Sequence, residues 1–148
     1  MFNIGVFVIV FNEKKDVLLC HRRDFDLWNL PGGGLNKNES PWEGAIRETK
    51  EETGFKISIE KLVGVYHKSQ KNELVFSFLG FVTGGKIALN EEADKIKFFP
   101  VSNLPKNISA KHKERIRDAL KKSKQVILKN QNDPDFIELK KELNRKFD

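Results

Sequence analysis

At 148 residues the chain is long enough for one domain with a sizeable core, and its single cysteine, Cys20, excludes an intrachain disulfide and makes a reducing cytoplasm the default expectation. Basic and acidic side chains balance through residue 105, so the whole net charge of +6 lies in residues 106–148. A solvated lysine-rich surface accounts for that excess more simply than nucleic-acid binding, since no interleaved aromatic platform accompanies it.

The apolar run from Phe2 to Phe11 is too short to cross a bilayer, has no basic leader and runs into Asn12-Glu13-Lys14-Lys15 rather than a small-residue cleavage site. It reads as a buried strand, and no membrane partner is expected. A second strand signal covers Val17 to Cys20, with Cys20 as core rather than nucleophile. Residues 41–53 carry the start and stop signals of a helix. Ser40 suits the N-cap, Pro41 the first helical position, Glu43 completes a capping box and Gly54 suits the left-handed position that ends a helix. The predicted packing side of this helix holds Trp42, Ala45 and Ile46.

Strand signals follow at Ile57 to Tyr66 and Leu74 to Thr83, the latter closed by Gly84-Gly85. Ile116, Ala119, Leu120, Ser123, Val126 and Ile127 recur at helical spacing, which predicts an amphipathic helix from Ser109 to Lys129. Asn130 to Asp133 breaks the pattern. Asp133 and Pro134 then open a further helix with Phe136, Leu139, Leu143 and Phe147 as an apolar stripe, so a core of residues 1–129 is expected to carry a helical extension over 130–148. That stripe has two uses: docking on the domain or on a second subunit of a homodimer, or presenting lysines to a polyanion.

The first helix carries the chemistry. Glu48, Glu51 and Glu52 are spaced three and four apart, which stacks three carboxylates on one face. Like charges at these spacings weaken a helix by roughly 0.2–0.5 kcal/mol per pair, so a cation is expected to compensate them. Hard oxygen ligands without a histidine or cysteine cluster favour Mg²⁺ or Mn²⁺ over zinc, and His21, His67 and His112 are scattered without metal spacing. Gly44, on the same face, is expected to clear space for a ligand or a backbone segment.

These residues fall within a longer pattern. Gly33, Glu39, Arg47, Glu48, Glu51, Glu52, Gly54 and Phe55 match G-x5-E-x7-R-E-U-x-E-E-x-G-U, where U is a bulky apolar residue, and in this the chain resembles the Nudix hydrolases. Thr49 at the first U is the one departure. Leu30-Pro31-Gly32-Gly33 ahead of the pattern and Phe98-Phe99-Pro100 after it resemble the same family, over roughly residues 3–125. The resemblance implies an α/β/α sandwich around a mixed β-sheet and hydrolysis of a nucleoside diphosphate linked to another group, or of a nucleoside triphosphate.

It further implies that Glu48, Glu51 and Glu52 hold metal with help from the Gly32 carbonyl, and that Arg47 orients them through Glu51 or Glu39. The general base is Glu48 on one reading and a loop glutamate, Glu91 or Glu92, on the other, with Glu92 favoured as base or extra ligand. Arg23 is the candidate to grip a phosphate, with Gly33 beside it. Ser69-Gln70-Lys71-Asn72 carries neither the proline of many ADP-ribose pyrophosphatases nor the tyrosine of dinucleoside polyphosphate hydrolases. Nucleoside triphosphates, nucleotide sugars and the 5′ end of RNA remain as substrates, and a nucleotide- or RNA-binding module is the alternative to an enzyme.

Overall fold

The computed structural model describes residues 1–132. The helix expected from Asp133 lies outside the described residues. In β1 (Asn3–Val10), Val6, Val8 and Val10 face one side and Phe7 and Ile9 the other, and β2 (Asp16–Arg22) repeats this with Leu18 and Cys20 against Val17 and Leu19. Short strands β3 (Trp28–Asn29) and β4 (Gly32–Gly34) lead to α1 (Pro41–Thr53). Two long strands, β5 (Phe55–Lys68) and β6 (Glu73–Gly85), form an antiparallel pair, then come β7 (Ala93–Pro100), α2 (Ala110–Leu120) and β8 (Ile127–Asn130).

The strands make two sheets. One has the order β4-β1-β6-β5-β8, with β1–β6 and β5–β8 parallel and the other pairs antiparallel, and the second is the antiparallel order β3-β2-β7. Alternation on both sheets creates two cores. Val6, Val8, Val10, Leu18 and Cys20 pack with Ala45 of α1, whereas Ile9, Val17 and Leu19 pack with Ile116 and Ala119 of α2. The helices therefore cover opposite faces, which makes the predicted α/β/α sandwich. Among the described residues no helix is long and apolar enough to cross a membrane.

Helix α1 begins and ends where its caps predict. Ser40 Oγ accepts the Glu43 N–H at 3.1 Å, and Gly54 at φ 85° donates its N–H to the Lys50 carbonyl. Its packing side differs from expectation at one residue: Ala45 is fully buried and Ile46 joins the core, but Trp42 is 56% exposed. Buried Thr49 and Thr53 complete the face, each hydroxyl donating to the carbonyl four residues back. Thr49 thus satisfies its own hydroxyl while its methyl packs. Gly44 also corrects the expectation, because a Cβ there would meet Leu35 Cδ1 at 2.5 Å and Glu39 Oε1 at 2.9 Å. The protein itself fills that space.

The predicted helix from Ser109 to Lys129 is shorter, and Val126 and Ile127 do not belong to it. Helix α2 ends at Leu120, Lys122 turns the chain at φ 50°, and β8 runs parallel to β5 with Gly64 opposite Ile127 and His67 opposite Asn130. Buried Asp118 makes the reversal possible. Its carboxylate accepts Tyr66 Oη at 2.8 Å and Lys129 Nζ at 2.9 Å and pairs with Lys121 Nζ at 3.2 Å, tying helix end, turn and returning strand together. Periodicity in this stretch was fortuitous, and unpaired edge groups on β5 decided the outcome.

Candidate active site

The glycines before α1 let two backbones and a carboxylate meet. A Cβ on Gly32 would lie 2.2 Å from the Val6 carbonyl oxygen on the neighbouring strand, and a Cβ on Gly33 would lie 2.8 Å from the Glu48 carboxylate. The Gly32 N–H donates to Glu52 Oε2 at 2.7 Å. β4 therefore receives two of the three helix carboxylates, Glu52 by hydrogen bond and Glu48 by contact.

Arg47 holds the set from the other side. Its Nε and Nη2 donate to both oxygens of Glu39 at 2.7 and 3.0 Å, its Nη1 donates to Glu48 Oε1 and Glu51 Oε2 at 3.1 Å each, and Nη2 also reaches the Gly34 carbonyl at 3.1 Å. Both partners foreseen for Arg47, Glu39 and Glu51, are engaged together. The Glu39 bond chiefly raises the guanidinium pKa, and Arg47 in turn holds the Glu39 carboxyl below its usual value.

A cleft of about 470 Å³ opens beside this cluster, lined by Arg22, Arg23, Asn29, Gly32, Gly33, Glu52, Glu91 and Glu92 among others. Glu52 is its half-buried acid. Burial, then the charges of Glu92 and Glu48, push its pKa up to about 8 against the lowering effect of the Gly32 N–H. Burial likewise raises Glu48, although Arg47 opposes the shift. Glu51 is 60% exposed and held by Arg47 on the helix flank.

Opposite α1, the loop before β7 carries Glu91 and Glu92. Asn90 anchors it: Oδ1 accepts the N–H groups of Glu92 and Ala93 at 2.9 Å, and Nδ2 donates to the Glu52 carbonyl at 2.6 Å. Arg23 donates Nε to the Asn90 carbonyl at 2.7 Å and its main-chain N–H to the Glu92 carbonyl at 3.1 Å. Gly32, Gly33, Glu52, Arg23 and Glu92 thus share one cleft, Glu48 abuts it at Gly33, and Arg47 and Glu51 stand behind. Sequence reasoning missed Asn90 and Asn29. The first had a local signal, an Asn two residues ahead of the acceptor-seeking N–H of a turn. Asn29 had none; its Oδ1 is buried in the cleft wall without a hydrogen-bond partner.

The donor chemistry fits a hard divalent cation. The clustered groups are carboxylates and a glycine backbone, and burial raises the Cys20 thiol well above its usual value so that it offers no thiolate. Among the described residues no three carboxylate, imidazole or thiol groups converge into a ready metal cluster, and Arg47 occupies an oxygen of Glu48 and one of Glu51. His112 is structural: neutral because burial lowers its pKa well below the usual value, it accepts the Leu30 N–H at 2.8 Å.

Comparison with known proteins gives the family. A family model described as the NUDIX domain matches residues 1–119. A putative 8-oxo-dGTP diphosphatase of Bacillus subtilis is 37% identical over 119 residues, 80% of this chain and 80% of that protein. An ADP-ribose pyrophosphatase of Methanocaldococcus jannaschii is 32% identical over 119 residues, 76% of this chain and 70% of that protein. In fold, the crystal structure of a NUDIX hydrolase from Nitrosomonas europaea matches with a TM-score of 0.79 at 23% identity, over 88% of this chain and 79% of that one. With the acidic helix, its arginine clamp and the glycine turn all in place, the chain belongs to the Nudix family, as a pyrophosphohydrolase acting on phosphorus-containing anhydrides.

Proposed function

We propose that this chain hydrolyses a nucleoside triphosphate at an internal P–O–P bond, using Mg²⁺ or Mn²⁺ held by Glu48, Glu51, Glu52 and the Gly32 carbonyl. The observation that carries the reading is Glu52, a half-buried cleft carboxylate whose pKa is pushed up to about 8 with Glu92 and Glu48 as its charged neighbours. Such a group suits a site that becomes fully ionised only when a cation arrives. A bound divalent cation supplies neutralisation of the phosphates and a more acidic attacking water.

The chain's own residues do the rest. Arg23 presents its guanidinium to a phosphate, with Nε already fixed on Asn90, and Gly33 lines the same cleft. Glu92 takes the proton from the attacking water as an oxygen–phosphorus bond forms. The bridging bond then breaks, and its electron pair leaves with the departing phosphate. Arg47 does not touch substrate; it keeps Glu48 and Glu51 in register.

A triphosphate is favoured over ADP-ribose because the Bacillus subtilis relative, at 37% identity, bears an 8-oxo-dGTP name and the ADP-ribose proline is missing from residues 69–72. The test is a Mg²⁺ and Mn²⁺ assay across oxidised and ordinary nucleoside triphosphates, ADP-ribose, nucleotide sugars and 5′-triphosphorylated RNA, with a chelator control. Faster turnover of ADP-ribose or RNA than of any triphosphate would replace the substrate reading. Chelator-insensitive turnover would remove the metal.

A further inference from the structure

We propose that Asn90 is a positioning residue that fixes the Glu92 carboxylate relative to Glu52, which rests on the role given to Glu92 above. The residues before it form an exposed segment, with Ile87 45% and Leu89 58% exposed, pinned to the body by the Ala88 N–H on the Thr53 carbonyl at 2.9 Å. Beyond that point the loop must carry Glu91 and Glu92 towards an acidic helix. The Glu92 and Glu52 charges oppose each other, so an untethered loop would swing Glu92 away.

The Asn90 amide resists this with both of its ends. Oδ1 faces two N–H donors, those of Glu92 and Ala93, while Nδ2 faces the Glu52 carbonyl, and this network sets the orientation of the amide unambiguously. A side-chain amide accepts at one atom and donates at another, and the short asparagine stem matches a turn whose second and third N–H groups need an acceptor. A glutamine would overshoot, and an aspartate would keep the turn but lose the link to α1. The Asn90 carbonyl also carries Arg23 Nε, so one residue sets the spacing of acid, helix and phosphate-gripping arginine. None of its partners outside the turn is close in sequence: Glu52 is 38 residues away and Arg23 is 67.

The test is a double-mutant cycle on the full chain with Mg²⁺ and the best nucleoside triphosphate, using Asn90→Ala, Asn90→Asp and Glu92→Gln. Asn90→Ala is expected to lower kcat by about 10- to 100-fold, as a misplacement of roughly 1 Å does, with KM changed by less than about threefold. Asn90→Asp, which keeps the turn acceptors, should fall between Asn90→Ala and the native chain. In the Glu92→Gln background, Asn90→Ala should cost little more, because the group it positions is already lost. A purely structural residue would multiply its loss in that background instead, and that result, or a native kcat in Asn90→Ala, overturns the proposal. If Asn90→Ala does not fold, the same cycle with Asn90→Asp decides by the same criterion. Native kcat in Glu92→Gln would overturn the Glu92 role and this inference with it, whereas loss in Glu92→Gln beside native kcat in Asn90→Ala overturns this inference alone.

Discussion

The Glu48 carboxylate occupies the volume that a side chain on Gly33 would need, with all three carboxyl atoms 2.8 Å from where the Cβ would be. Because those atoms are the end of a flexible side chain, Gly33→Ala should fold with a melting temperature close to native. Its carboxylate must move, however, and kcat is expected to fall by about tenfold or more. Kinetics and a thermal melt on the same sample check this, and a fully active Gly33→Ala protein would show that the position of Glu48 is not critical.

Arg47 grips Glu39 through two parallel bonds, a fork that lysine cannot reproduce. Arg47→Lys and Glu39→Gln should each reduce activity by about 10- to 100-fold, the usual range for groups that orient ligands rather than supply them. Titrating Mn²⁺ against each variant separates the cases: lost rate recovered at high Mn²⁺ points to weakened ligand placement, as expected here.

Replacing the proposed ligands themselves should cost more. Glu52→Gln and Glu48→Gln remove charge without changing volume and are expected to lower kcat by more than about 100-fold at saturating Mg²⁺, beyond the range for outer-shell changes. Glu52→Gln has a second, opposite effect in chelator. Native Glu52 has its pKa raised from 4.5 to about 8, so between those values the folded state holds more protons than the unfolded one and stability falls as pH rises. Thermal melts in chelator should show the native protein weakening across that window and Glu52→Gln weakening less. A parallel pH dependence in both would show that Glu52 ionises normally.

His21 gives a pH effect away from the acidic helix. Its ring nitrogens meet Asp26 and Asp94 at 2.7 Å each, and Trp28 packs edge-on at 5.1 Å. Burial alone would lower its pKa, and the neighbouring Lys95 charge acts the same way. The two carboxylates outweigh both and raise it. A raised histidine pKa contributes stability that is fully present below about 6.5 and fades as pH climbs through the raised value. An NMR titration of the imidazole should give a midpoint above 6.5, moving down in Asp94→Asn. An unshifted midpoint would break the clamp assignment.

Helix α1 was legible to the residue because its limits depend on chemistry within four positions, the Ser40 hydroxyl at one end and the left-handed Gly54 at the other. The spacing of Glu48, Glu51 and Glu52 was equally local, and so was the choice of a hard cation that it implies. Arg47 was readable because its partners lie on its own helix or just ahead of it.

Contacts between distant segments decided what the sequence left open. Helical periodicity in residues 116–127 describes a face, but which backbone donors lie opposite is a tertiary fact, and the free edge of β5 drew Ile127 and Leu128 into a strand. Trp42 shows the same limit, since an apolar residue near the packing arc stays exposed when no neighbour reaches it. Composition and spacing alone determined the acidic helix and its caps. Only the folded chain, by bringing Asn90 against Glu52 and Arg23, decided where the second acidic group stands, because a hydrogen bond across 38 or 67 residues leaves no trace in local pattern.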